Sequence, residues 1–257
     1  MARRATVIKE ARAKGESVLL LDAGNSLVTN DAGSNEPAER TKGQTSVEIL
    51  NRLGYDAVAL GERDLLLGKE DLLKRLAEAK TFTFISANLM DKGTNKLVAR
   101  PYVIKDIAKH RVALIGLTGS VAGGALEGSK DFAIVPPLEA ARDYVQRVQS
   151  QADIVILLSN AGAEANKAIA TQVPGIDLII SGGMEPLEEP AQPVPGTLVA
   201  QAEVSAPGHA GRYIGKLQAV FDDSGKLVQR KWENIELNPS VADDADMSNW
   251  VKSLPTP

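Results

Sequence analysis

Three carboxylates stand where an α/β protein does its chemistry. Asp22 ends the apolar run Ser17-Val18-Leu19-Leu20-Leu21-Asp22, and Glu62 and Asp64 follow Ala57-Val58-Ala59-Leu60. Open α/β sheets bind ligands outside the carboxyl ends of their strands, and carboxylates placed there can hold Mg²⁺ or Ca²⁺. Acidic residues after strands also cap helices and order loops, so the pattern alone is weak. The two histidines add little. His110 falls at the tip of an expected hairpin, where a solvated position is the default. His209 lies in Pro207-Gly208-His209-Ala210-Gly211, a loop that could line a cleft. Neither has a Ser or Cys elbow beside it to form a nucleophile–base pair. The Gly-rich stretch 116–128 has neither a phosphate-loop nor a dinucleotide fingerprint, and reads as a loop.

Composition narrows the classes. The chain has 257 residues, 44% of them hydrophobic and 24% charged, with a net charge of −4. Its mean hydropathy is −0.11. A mildly acidic balance argues against a nucleic-acid or membrane-surface partner, both of which favour basic patches. The absence of cysteine removes disulfides, thiolate catalysis and Cys-based metal sites together. No apolar run approaches the roughly 20 residues that span a bilayer, so no membrane span is expected. The start, Met1-Ala2-Arg3-Arg4-Ala5-Thr6-Val7-Ile8, is basic without a following apolar region, so no signal peptide is expected in this chain.

The elements that would position these residues alternate between short Val/Ile/Leu runs and amphipathic stretches, the signature of an α/β protein. Strands are expected at 17–22, 57–60, 83–85, 154–158 and 178–180, with a hairpin over 101–117. Helices are expected at 3–14, 44–53, 69–79, 138–150, 163–172 and 243–253. Residues 31–43 and the Pro-rich stretch 186–195 read as loops. Residues 197–201, 212–221 and 226–236 alternate like antiparallel strands, with a turn at Asp222-Asp223-Ser224-Gly225. No repeat or linker breaks the chain, and one domain over 1–257 is the simplest organisation.

The order of several segments is more specific than any one of them. Leu19-Leu20-Leu21-Asp22-Ala23-Gly24-Asn25-Ser26 is followed by Leu53-Gly54-Tyr55-Asp56-Ala57-Val58-Ala59-Leu60-Gly61-Glu62-Arg63-Asp64. Then come Ser86-Ala87-Asn88-Leu89, Val155-Ile156-Leu157-Leu158-Ser159-Asn160-Ala161-Gly162, Ile176-Asp177-Leu178-Ile179-Ile180-Ser181-Gly182-Gly183 and Gly196-Thr197-Leu198-Val199-Ala200. Over nearly the whole chain this resembles the 5′-nucleotidase branch of the calcineurin-like metallophosphoesterases. The resemblance implies an α/β/β/α fold, a sheet sandwich flanked by helices, parallel at first and antiparallel at the end. It also implies a two-metal centre that activates water and clamps phosphate oxygens.

The ligand motifs of that family are replaced here. The glycine–aspartate motif that supplies the bridging carboxylate reads Gly24-Asn25-Ser26. The motif that brings an Asn ligand and a His reads Gly61-Glu62-Arg63-Asp64. The strand that ends in Ser-His reads Ser159-Asn160, and the last motif, with two histidines, reads Gly182-Gly183-Met184-Glu185-Pro186. An amide is a poor bridge between two cations, a thioether is soft, and proline has no donor. Asn25, Glu62, Arg63, Asn160, Met184 and Pro186 are therefore read as vestigial metal-site positions. Asp22, Asp64, Asn88, Gly182, Gly183 and His209 are read as cleft-lining residues, with no metal and no cofactor.

The family's first strand, ending in Asp-x-His, would precede the first helix, and this chain begins at that helix. Without it, strand 17–22 would show unpaired backbone groups at an internal sheet position. A neighbouring chain donates a strand, the sheet closes up, or natural sequence lies upstream; the expectation is that a strand from elsewhere fills or covers the gap. The family's C-terminal specificity domain is also expected to be absent. The leading functional expectation is a catalytically inactive scaffold or binding subunit with a protein partner, outside the cytoplasm, in the periplasm or beyond, as the resemblance implies. The alternatives are a residual hydrolase using Asp22, Glu62 and Asp64 with a hard cation, and a nucleotide-binding module using Asn25, Asn88, Asn160 and the Gly182-Gly183 loop.

Overall fold

Ile154–Ser159 is apolar without alternation because it is covered on both faces. Ile154, Ile156 and Leu158 point into one core, whereas Val155 and Leu157 point into another. That two-sided burial is the rule for parallel strands between layers. The computed structural model describes residues 1–28, 37–119, 129–183, 186, 187, 189, 191–203 and 211–254.

In chain order the elements are α1 (Ala2–Ala13), β1 (Leu21–Asp22), α2 (Pro37–Arg40), α3 (Gln44–Leu53), β2 (Ala57–Ala59), α4 (Gly68–Ala77) and β3 (Thr83–Ile85). Next come β4 (Leu89–Asp91), β5 (Lys96–Leu97), β6 (Tyr102–Ile107), β7 (His110–Leu117), β8 (Phe132–Ile134), α5 (Pro137–Val148), β9 (Ile154–Ser159) and α6 (Ala163–Gln172). The last are β10 (Leu178–Ser181), β11 (Ala191–Val194), β12 (Thr197–Ala200), β13 (Tyr213–Phe221), β14 (Leu227–Glu236) and α7 (Ala245–Ser253).

A parallel sheet of order β1-β2-β3 lies against a six-stranded sheet of order β11-β12-β10-β9-β7-β6. Ala57, Ala59 and Ile85 of the first meet Leu114, Ile154, Ile156, Leu158 and Leu198 of the second. Val58, Leu60 and Phe84 face outward onto α1, α3, α4 and α7 through Ala5, Ile8, Leu50, Leu72 and Met247. On the far side Ile115, Leu157, Ile179 and Val199 meet Ala141, Val145, Val148 and Ile169 of α5 and α6. The result is the α/β/β/α order of layers. Each large aliphatic side chain buried this way contributes about 1.5–3 kcal/mol.

The β13–β14 hairpin forms a separate two-stranded sheet. Its Leu217, Phe221, Leu227 and Trp232 pack against the inner core. The Trp232 ring covers Gly215, where an added Cβ would come within 2.4 Å of it.

Several expectations are corrected. The stretch 31–43 contains α2 from Pro37, and its first part lies outside the described residues, as does most of the Gly-rich loop 116–128. The Pro-rich stretch contains β11, an edge strand, where Pro193 need not donate to a ladder. Strand β12 runs parallel to β10 rather than antiparallel; its antiparallel partner is β11. His110 is buried, its ring edge-on to Phe221 at 6.4 Å, because the hairpin turn falls at Ala108 and Lys109 and the β13–β14 hairpin covers it. Of the expected strand 17–22, only Leu21 and Asp22 are paired.

Candidate functional site

The loops that leave β1, β2, β7, β9 and β10 at their carboxyl ends press against one another. A Cβ added at Gly24 would meet the backbone of Gly61 at 2.9 Å and Asn160 Cβ at 3.3 Å. One at Gly119 would meet the Asn160 carbonyl at 2.2 Å, and one at Gly182 the Ala23 carbonyl at 2.5 Å. Glycine is needed for backbone to approach this closely.

Asn25 sits in the left-handed region at φ 62°, which an Asn tolerates better than most residues. Its Oδ1 accepts the Arg63 backbone N–H at 2.9 Å, and its Nδ2 donates to Glu62 Oε1 at 3.4 Å. The Glu62 N–H in turn donates to Asn160 Oδ1 at 3.4 Å. Asn25, Glu62, Arg63 and Asn160, the positions expected from the resemblance to have held metal, are thus brought together and bonded to one another. Asn160 is buried and its Nδ2 has no hydrogen-bond partner. Pro186 is exposed, and Met184 and His209 lie outside the described residues.

Asp64 does not line a cleft. It is fully buried, and both its oxygens are taken by backbone: Oδ1 accepts from Leu27 at 2.9 Å, Oδ2 from Gly61 at 2.8 Å and Asn25 at 3.1 Å. Burial pushes its carboxyl up to about 7, against the pull of those N–H donors. The residue is a clamp that fastens the loop after β1 to the loop after β2. Asn88 is likewise withdrawn from any cleft. Fully buried, it donates to the Thr118 and Val135 carbonyls at 2.8 and 3.0 Å and accepts the Thr118 N–H at 2.8 Å.

Asp22 is half-buried. Its Oδ1 accepts the Gly24 N–H at 2.9 Å and the Ser26 hydroxyl at 2.5 Å. Burial raises its pKa, while Ser26, Gly24 and the charge of Arg4 oppose that shift. Gly183, at φ 108°, has open space around it. Sequence reasoning passes over Thr118, whose hydroxyl bonds the Leu60 carbonyl at 2.8 Å and ties β2 to β7; only its place after a strand marks it.

Among the described residues, no group of three or more His, Asp or Glu side chains gathers where it could hold a metal ion. The two half-buried carboxylates Asp22 and Glu62, beside two amides and the Arg63 backbone and with no imidazole, do not fit a pair of divalent cations. No helix among the described residues is long and apolar enough to cross a membrane.

No family model matches the chain. Individual relatives do. It is 29% identical over 283 residues to the snake venom 5′-nucleotidase of Gloydius brevicauda, covering 99% of this chain and 45% of that one. It is 31% identical over 245 residues to the uncharacterized metallophosphoesterase YunD of Bacillus subtilis, covering 95% and 49% respectively. The crystal structure of a 5′-nucleotidase precursor from Thermus thermophilus superposes with a TM-score of 0.81 at 25% identity, over 98% of this chain and 52% of that one. The chain spans about half the length of the curated relatives it matches. With the layers, the strand order and these relatives in agreement, the chain is a homologue of 5′-nucleotidases and of a metallophosphoesterase and has the calcineurin-like phosphoesterase fold.

Proposed function

We propose that this chain is a catalytically inactive 5′-nucleotidase-like domain that serves as a scaffold or binding subunit of a larger assembly outside the cytoplasm. One observation carries the reading. At the position of the bridging carboxylate, the amide of Asn25 is committed at both ends to the Arg63 backbone and the Glu62 carboxylate. A neutral amide already holding two bonds has little left to offer two cations, and the neighbouring positions bring a positive Arg and a buried amide. The family is enzymatic, so the loss is specific to this chain's residues and not to its fold. A location outside the cytoplasm is supported by the venom relative. The partner belongs beside the segment 17–22, whose apolar residues Val18, Leu19, Leu20 and Leu21 are only half-buried.

The test is metal content by mass spectrometry on protein purified without chelators, paired with hydrolysis of AMP and of p-nitrophenyl phosphate in added Mn²⁺. Neither bound metal nor phosphate release is expected. About two equivalents of metal with turnover would make the chain a working hydrolase and end this reading.

A further inference from the structure

The six-stranded sheet ends in β11 on one side and in β6 on the other. Strand β11 is guarded by Pro193, whereas β6, Tyr102-Val103-Ile104-Lys105-Asp106-Ile107, has no proline. The Gly116 N–H donates to the Pro101 carbonyl at 3.2 Å, so these two residues are a bonded pair at the head of the β6–β7 ladder. With a period of two, Val103, Lys105 and Ile107 also turn their backbone groups toward β7. Those of Tyr102, Ile104 and Asp106 therefore point away from the sheet, and among the described residues no backbone hydrogen bond meets them.

The same alternation sorts the side chains. Val103 and Ile107 pack on the inner core, and Tyr102 and Ile104 pack on the outer one that α5 covers. Lys105 shares the inner face, and a lysine turned inward on an edge strand ordinarily keeps other strands away. Here its ammonium donates to Asp56 at 2.7 Å within its own chain, which leaves the stem as apolar surface. Tyr102 stands 6.2 Å from Tyr144 of α5, and both are half-buried beside the open edge. Tyrosine surface of this kind is what the cores of protein interfaces are enriched in. Asp106 is exposed.

We infer that β6 pairs with β6 of a second copy of this chain, antiparallel about a two-fold axis, joining two six-stranded sheets into one continuous sheet. Such a pairing sets outward-facing groups against outward-facing groups, so few registers exist. With Lys105 on the axis, two ammonium-bearing side chains would stand opposite each other, which is unfavourable. With Val103 on the axis, Asp106 would run into the partner's Arg100, and the Arg100 carbonyl already accepts the Ser86 N–H at 2.8 Å. With Ile104 on the axis every position is met. Ile104 faces the partner's Ile104, Val103 lies against the stem of the partner's Lys105, and the Tyr102 hydroxyl donates to the carboxylate of the partner's Asp106. The strand is complementary to its own copy, and this is why the occupant is a second chain and not a foreign strand. The contact goes beyond the scaffold reading. It lies on a different sheet from the segment 17–22, and it forms whether or not the chain hydrolyses phosphate.

Light scattering on size-exclusion fractions of the full chain, loaded from about 1 to about 300 µM, reads the mass. A rise from 27.3 kDa to about twice that value with concentration is expected. Ile104→Glu and Ile104→Lys each place like charges on the axis, and each should weaken the dimer about tenfold or more. Mixed in equal amounts, the two variants should recover it as a heterodimer, which misfolded protein does not do. Asp106→Pro is the second check. The Asp106 N–H makes no bond to β7, so the fold and its melting temperature stay, while the ring removes a donor and blocks the incoming strand. A chain that stays at 27.3 kDa at every concentration would overturn the pairing. So would a dimer that survives all three substitutions, or a mixture that fails to associate although both Ile104 variants melt as the parent does.

Discussion

The Arg63 backbone N–H donates to the side-chain oxygen of Asn25 at 2.9 Å. The loop after β2 is therefore held by the residue that we propose stands in place of the bridging carboxylate. Restoring that one carboxylate should not restore a metal site. In Asn25→Asp the Arg63 bond survives, but the donor to Glu62 is lost and two carboxylates face each other, which weakens the loop. The expected result is a melting temperature a few degrees lower and no Mn²⁺-dependent hydrolysis, read by thermal denaturation and a phosphate assay. Turnover in this single variant would mean that the remaining donors are sufficient.

Gly61 is fixed by the same contact. A Cβ there would lie 2.1 Å from Asn25 Oδ1 and 2.5 Å from the Asn25 backbone nitrogen. Gly61→Ala should cost about 1–3 kcal/mol by overpacking. Because the second clash is with backbone, removing the side chain with Asn25→Gly should not rescue it. Urea unfolding of the single and double variants checks this, and full recovery in the double would show that only the side chain was in the way.

Asp64 sets a pH dependence. Its folded pKa, pushed up to about 7 by burial, lies above the unfolded carboxylate value. Between roughly pH 4 and pH 7 the native state holds this proton more readily than the unfolded state, so this group makes stability fall as pH rises through that window. Asp64→Asn should abolish that slope. At the acid end of the window it should also lower stability by about 1–3 kcal/mol, because the amide nitrogen must face a backbone N–H that Asp64 now accepts. Urea midpoints taken across the window for both proteins decide it; parallel curves would mean that Asp64 does not titrate there.

Two buried amides should behave differently when truncated. Asn88 satisfies the Thr118 and Val135 carbonyls and the Thr118 N–H. Asn88→Ala leaves those buried groups unmet and should cost about 2–4 kcal/mol. Asn160 has one long bond and an unpartnered Nδ2, so Asn160→Ala should cost less than about 1 kcal/mol. Equal losses in a chemical unfolding series would contradict the orphaned state of Asn160.

How much of this is legible in the sequence depends on how local the signal is. Helix α6 is expected at Ala163–Gln172, and the structure shows the same bounds; Gly54 stops α3 in the left-handed region, as expected. The fold's layers follow from β9, β10 and β7, whose continuous apolar runs need cover on both faces. Strand β11 is hidden by its Pro193, since the cost of a proline vanishes only at a sheet edge that the sequence does not reveal. A local reading misplaces His110 because its cover comes from β13, more than a hundred residues away. At the site, the clustering of Asn25, Glu62, Arg63 and Asn160 is legible through the resemblance. The withdrawal of Asp64 and Asn88 from the cleft is not, because the groups they bond are backbone atoms that no side-chain pattern records.

The chain has two tryptophans, and the fold separates what they sense. Trp250 on α7 donates to Glu48 at 3.0 Å and lies under the Arg52 guanidinium at 4.5 Å, so its fluorescence reports the helical layer outside β1, β2 and β3. Trp232 reports the β13–β14 hairpin, where its ring packs against the inner core. Two single-tryptophan proteins would accordingly give two optical views of one unfolding reaction, one from the outer helical layer and one from the inner core. Divergence between the two traces would measure how loosely the outer helical layer and the hairpin are coupled.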